Sequence, residues 1–132
     1  NEKIMLITDN RKIIAKLAEQ MLASPSDLVS VDMTDFKEIE KYQNIKLIIL
    51  NGAIESIIST ISTTYASEFA EAKMALLQVS TPTVDALKMK SMQALLRSLQ
   101  PTERPLNIIW GTKADPEIAQ GEAEIFVVYA AD

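Results

Sequence analysis

With 132 residues, 48% of them hydrophobic and 23% charged, the chain has the length and balance of one folded domain, able to bury about two-thirds of its unfolded surface, and not of a disordered, collagenous or membrane-spanning sequence. It contains neither Cys nor His, which excludes disulfide frameworks, zinc sites built on those residues, thiol nucleophiles and imidazole catalysis, and leaves carboxylate, lysine and hydroxyl chemistry. The formal charge of -5 argues against a sequence-blind nucleic-acid binder, which needs a basic surface, and equally against docking on anionic membranes.

No basic segment leads into an apolar stretch at the start, so no signal peptide is expected, and no apolar run approaches the roughly 18 residues of a spanning helix. The absence of Cys fits a cytoplasmic chain, and Asn1 in place of Met fits a piece of something larger. From Asp9 onward, Ile13, Ile14, Leu17, Ala18, Met21 and Leu22 recur at spacings of three and four, which predicts a helix with one buried stripe ending before Pro25. The segment SPSDLVSVD reads as a loop, and Asp35 to Tyr42 as a short helix turning Phe36 and Ile39 inward. IKLIILNG, from Ile45 to Gly52, is a continuous β-branched and leucine run, hence a strand buried on both faces.

Ile54, Ile57, Ile58, Ile61 and Tyr65 then keep helical spacing despite intervening Ser and Thr, which weaken intrinsic propensity. KMALLQVS, Lys73 to Ser80, reads as a strand. Thr81 as N-cap and Pro82 at the first helical position open a helix whose stripe is Val84, Leu87, Met92, Leu95, Leu96 and Leu99, ended by Pro101. Leu106 to Thr112 and Glu122 to Ala131 predict two more strands, joined by the turn KADPEIAQG and expected to form an antiparallel hairpin. The pattern is α/β (α+β): a mixed four-stranded sheet flanked by helices.

A phosphate cradle cannot be built, because Gly52, Gly111 and Gly121 are isolated from one another. Asp32 and Asp35 stand three apart where SVDMTDF enters a helix, which puts both carboxylates on one side of its first turn. Such a pair can orient a water or hold a cation; it can equally do no more than complement the helix dipole. Asp27 adds negative charge without defined geometry. The segment GTKADPE, Gly111 to Glu117, offers charged groups but also reads as a structural turn, with Asp115 and Pro116 making the reversal. Trp110 and Tyr129 read as core or sheet-face aromatics, Met89 and Met92 as gap fillers, and Lys88, Lys90 and Arg97 as a solvated face.

Several segments carry a resemblance. LVSVDMTDF resembles the catalytic loop and following helix of the bacterial cell-division GTPase FtsZ, usually of the form LINLDFADV, with Asp32 and Asp35 matching its two carboxylates. NIIWGTKADPEIAQGEAEIFVVYAA resembles that family's closing hairpin, LLQVST falls where it has its NITAG strand end, and Asn1, Glu2 and Lys3 resemble the NDK before its long central helix. The order of catalytic loop, helix, strand, helix, strand, helix and hairpin agrees along nearly the whole chain. Departures are Ser30 in place of the loop's Asn, Pro82 and Thr83 in place of Ala-Gly, an AAD ending in place of TG, and a shorter central helix.

The resemblance implies that residues 1–24 are the end of the connecting helix and that 25–132 form an FtsZ/tubulin-like C-terminal domain carrying the catalytic loop. It implies self-association into cytoskeletal filaments, in which this domain meets the GTPase domain of the adjacent subunit. Asp32 and Asp35 would there position the hydrolytic water or a cation, with Ser30 in support. On this reading the chain itself binds no cofactor or metal and is no enzyme alone. GTP and Mg²⁺ belong to the full-length cytoplasmic protein, with no nucleic-acid partner and no direct membrane insertion. The alternative is a non-catalytic α/β module for oligomerisation or regulation. A small carboxylate-dependent enzyme is the third reading, and it lacks a second polar cluster converging on Asp32 and Asp35.

Overall fold

One-sided helices and strands apolar on both faces are stable only when each hides the other. The computed structural model, which describes residues 3–22, 33–83, 89–100 and 106–131, resolves this as helices on both sides of a single mixed sheet. The elements run β1 (Lys3–Thr8), α1 (Arg11–Leu22), α2 (Met33–Ile39), β2 (Ile45–Ala53), α3 (Ile54–Thr64), α4 (Ala66–Ala70), β3 (Met74–Thr81), α5 (Met89–Leu99), β4 (Asn107–Ala114) and β5 (Glu122–Ala130). The strand order is β1-β2-β5-β3-β4. β3 and β4 run parallel, with Leu77 beside Trp110, and the other neighbours are antiparallel.

The sheet has five strands where four are expected. Residues 3–8, assigned by the resemblance to the connecting helix, are the edge strand β1, with Thr8 beside Leu47 of β2. The cause is local. The Asn10 N–H donates to Thr8 Oγ1 (3.1 Å), and Asn10 Oδ1 accepts from the N–H groups of Lys12 (3.0 Å) and Ile13 (3.2 Å). Asn10 thus caps the start of α1 and separates it from the β-branched run before it. Within α1 the inward line is Ile14, Ala18 and Leu22, all buried, whereas Ile13 is 43% exposed and leaves the predicted stripe.

The last two strands do not form the expected hairpin. β5 lies between β2 and β3, and β4 pairs along the far side of β3. From Ile125 to Ala130 β5 is buried without a break, while β4 is mostly half-buried. A strand apolar on both faces belongs inside a sheet, and the more polar one takes the edge. α4 is also new: its five residues are too few to show a period, yet they bury Phe69.

α3, α4 and α5 cover one face, where Ile57, Ile61, Phe69, Met92, Leu95 and Leu99 join Ile48, Leu50, Leu77 and Val127. α1 and α2 cover the other, packing Ile14, Ala18, Phe36 and Ile39 on Leu47, Leu76, Phe126 and Val128. Met92 fills the core as expected, but Met89 is 67% exposed and fills no gap. Thr81 ends β3, its hydroxyl donates to the Thr83 carbonyl (2.8 Å), and Pro82 and Thr83 form a bend where the first helical residues are expected. The predicted loop from Ser24 to Asp32 and the stripe positions Val84 and Leu87 lie outside the described residues. No described helix is long and apolar enough to cross a membrane.

Candidate functional site

Of the three carboxylate-loop residues, Asp35 is described; Asp32 and Ser30 lie outside the described residues. Asp35 stands half-buried in the first turn of α2. The next residue, Phe36, and Ile39 one turn on are fully buried against the sheet, so α2 is held by its apolar side and carries Asp35 on a fixed backbone. At the far end of α2, the Arg11 guanidinium donates to the carbonyls of Glu40 (3.1 Å), Gln43 (2.8 Å) and Tyr42, tying the following turn to α1. Among the described residues no group of His, Cys, Asp or Glu is placed to hold a metal ion.

The GTKADPE segment continues β4 into a turn. The Asp115 N–H donates to the Thr81 carbonyl (2.7 Å), prolonging the parallel ladder, and Asp115 Oδ1 accepts from the Glu117 N–H (3.0 Å) across Pro116. This is the side-chain-closed turn that Asp favours. Gly121, at φ +81°, then admits the left-handed backbone that leads into β5.

An acidic depression of about 380 Å³ lies beside this turn, with Asn51, Asp115, Glu122 and Glu124 in its walls. Burial, and secondarily the charge of Asp115, raise the pKa of Glu124, while Lys113 opposes them. A carboxyl group whose folded-state pKa is raised favours its protonated form in the fold. Ionisation therefore costs stability as pH rises from the acid range toward neutral. Glu124→Gln is expected to raise the melting temperature at pH 7 and leave it nearly unchanged below about pH 4, where the native carboxyl is already protonated. Melting curves of both proteins across that range read the effect directly.

A larger cleft, of about 580 Å³, opens where the end of β1, the start of β2 and the end of β5 meet beside α4. Lys46 Nζ and Glu68 Oε1 pair across it at 2.9 Å. Next to them is Tyr129, only 4% exposed, its ring tilted against Phe69 with centroids 4.7 Å apart. Burial and the nearby Glu68 carboxylate push its pKa far up, so the phenol keeps its proton. Its oxygen is closed off from solvent, with the Glu68 carboxylate as its polar neighbour among the described residues. Gln78 Oε1 is buried without a hydrogen-bond partner among the described residues and lines neither cleft.

Tyr129 is therefore a core aromatic, as expected, with a polar tip the periodicity does not explain. The signals in the sequence were a lysine inside IKLIIL and a tyrosine inside IFVVYA, each a polar end in an otherwise apolar strand. Asp35 does not line this cleft. No protein-family model matches the chain, and a search of curated proteins finds none significantly similar to it.

Proposed function

We propose that this chain is the C-terminal domain of a diverged FtsZ- or tubulin-like polymerising GTPase of the cytoplasm. It supplies a filament interface and an acidic loop that promotes GTP hydrolysis on the neighbouring subunit. The observation that carries this reading is the succession α2, β2, α3, α4, β3, α5, β4, β5, which apart from the short α4 follows the family's order of helices and strands, with Asp35 in the first turn of the helix that follows the acidic segment.

The chemistry divides between subunits. A carboxylate can accept a proton from the attacking water or orient it, while charge developing on the transferred phosphate is met by loops of the other subunit and Mg²⁺. This chain's three glycines are isolated, and its described residues offer no metal-holding cluster. Neither GTP nor Mg²⁺ would be held here, and both belong to the GTPase domain. What this chain brings is position: Phe36 and Ile39 anchor α2, and the anchored helix keeps Asp35 from swinging away. Reading the coding sequence upstream of Asn1 tests the proposal. A glycine-rich phosphate-binding segment is expected there, and its absence would leave a non-catalytic interaction module as the better account.

A further inference from the structure

We propose that the outer edge of β4 is a self-pairing surface, on which β4 of a second copy of this chain docks antiparallel about a two-fold axis at Gly111. Two five-stranded sheets then join into one. The contact closes on itself at two copies, so it differs from the head-to-tail contact of a filament and does not rest on the GTPase reading.

Two strands end this sheet, and they end it differently. β1 carries a register shift between Ile4 and Leu6, with Lys3 at its start, and a bulge or a charge is how an edge strand resists further pairing. The middle of β4 has neither device. It keeps one unbroken register against β3, from Asn107 beside Met74 to Ala114 beside Thr81, and its sequence NIIWGTKA holds a single charge, at Lys113. No proline interrupts it, and among the described residues no strand pairs with its outer side. The Asn107 N–H donates to the Lys73 carbonyl and the Asp115 N–H to that of Thr81, so the odd-numbered residues of β4 direct their backbone groups at β3. Ile108, Trp110, Thr112 and Ala114 therefore turn their N–H and C=O groups outward, a row of donors and acceptors that accepts one more strand.

The row matches itself. Centred on Gly111, an antiparallel copy sets Ile108 opposite Ala114 of the second copy and Trp110 opposite its Thr112, so every outward group of both strands is paired. Moving the centre by one residue leaves Ile108 or Ala114 without a partner. Gly111 then stands opposite itself, at a position where antiparallel backbones come within about 4.5 Å between Cα atoms, and it brings no Cβ there. Trp110 and Thr112 make the aromatic with β-branched pair that antiparallel ladders favour. Charge agrees with this register. The chain's formal charge of -5 opposes self-association in general, but β4 carries none of the negative charge. Lys113 falls opposite Ile109, over which its stem can lie, and the two lysines stand about 13 Å apart along the ladder, beyond the screening length of about 10 Å. An unrelated extended peptide would use the same backbone row without the glycine at the axis or this spacing of charge.

The test is sedimentation of the 132-residue chain from about 1 μM to about 1 mM, with amide hydrogen exchange followed by NMR over the same range. A mass rising from 14.6 kDa toward twice that value is expected. As it rises, the amides of Ile108, Trp110, Thr112 and Ala114 should gain protection, whereas those of Ile109, Gly111 and Lys113 are held by β3 at every concentration. Thr112→Pro removes an outward N–H and none from the β3 ladder, so it should weaken dimerisation by roughly tenfold or more. Thr112→Lys sets two like charges diagonally across the seam and should do the same, and it decides the matter where the proline variant fails to fold. A chain still monomeric at about 1 mM, a dimer whose four outward amides exchange as they do in the monomer, or a dimer as tight in Thr112→Lys as in the native chain would each overturn the proposal.

Discussion

Asp35→Ala in the full-length protein is expected to slow GTP turnover by about a hundredfold or more, the usual contribution of a positioned acid–base group, while leaving nucleotide affinity near normal. On the proposed reading Asp35 meets the nucleotide only across a subunit interface, so removing it subtracts from the hydrolytic step and not from binding within the neighbouring GTPase domain. Polymers should then persist longer. The variant should fold, because α2 is held to the sheet by Phe36 and Ile39, both fully buried, and not by its half-buried first turn. A purely structural Asp35 gives the reverse pattern. Losing an acid near a helix N-terminus should lower stability by about 0.5 to 2 kcal/mol and leave turnover per folded subunit unchanged. Turnover and melting temperature measured on the same protein separate the two, and normal turnover with reduced stability would end the catalytic reading. Asp35→Asn keeps the shape and removes the charge, so it should share the turnover defect if the carboxylate acts on water.

The parts of this fold that were legible beforehand are those set by local apolar spacing. Phe36 and Ile39, Ile57 and Ile61, and Met92, Leu95 and Leu99 each fall three or four apart and face inward as the helix period requires. β2 and β3 are predominantly apolar runs, interrupted by Lys46 and Gln78, whose apolar residues on both faces mark them as interior strands. What stayed hidden depends on partners distant in sequence. KIMLIT is apolar enough for either element, and its fate as β1 is decided by pairing with residues 47–51 and by the Asn10 cap. The hairpin expectation followed chain adjacency, but burial on both faces drew β5 between β2 and β3. The same holds for the sites. Asp35 was legible because its setting is a helix start. The cleft joins Asp9, Lys46, Glu68 and Tyr129 from four separate segments, a juxtaposition that exists only after the sheet has formed.

Leu95→Ala is expected to destabilise the domain by about 2 to 5 kcal/mol, the range for emptying a well-packed leucine site. Leu95 has no exposed surface and sits in the middle of α5, between Met92 one turn before and Leu99 one turn after. These three form the helix's contact line with the cluster that also contains Ile57 and Ile61 of α3 and the sheet residues Leu77 and Val127. A truncated side chain there leaves a void that neighbours can close only by shifting a helix already fixed at two other points, so relaxation should be partial and the cost toward the upper part of the range. Against a typical domain stability of about 5 to 15 kcal/mol, such a loss moves the melting temperature by many degrees. Met89→Ala supplies the contrast within the same helix. At 67% exposure, Met89 rests on little, and its replacement should change stability by no more than about 0.5 kcal/mol. Thermal or denaturant unfolding of the two variants side by side reads the difference. A melting curve for Leu95→Ala that overlays the native one, or a Met89→Ala loss as large as that of Leu95→Ala, would mean that α5 does not pack on the sheet through this line.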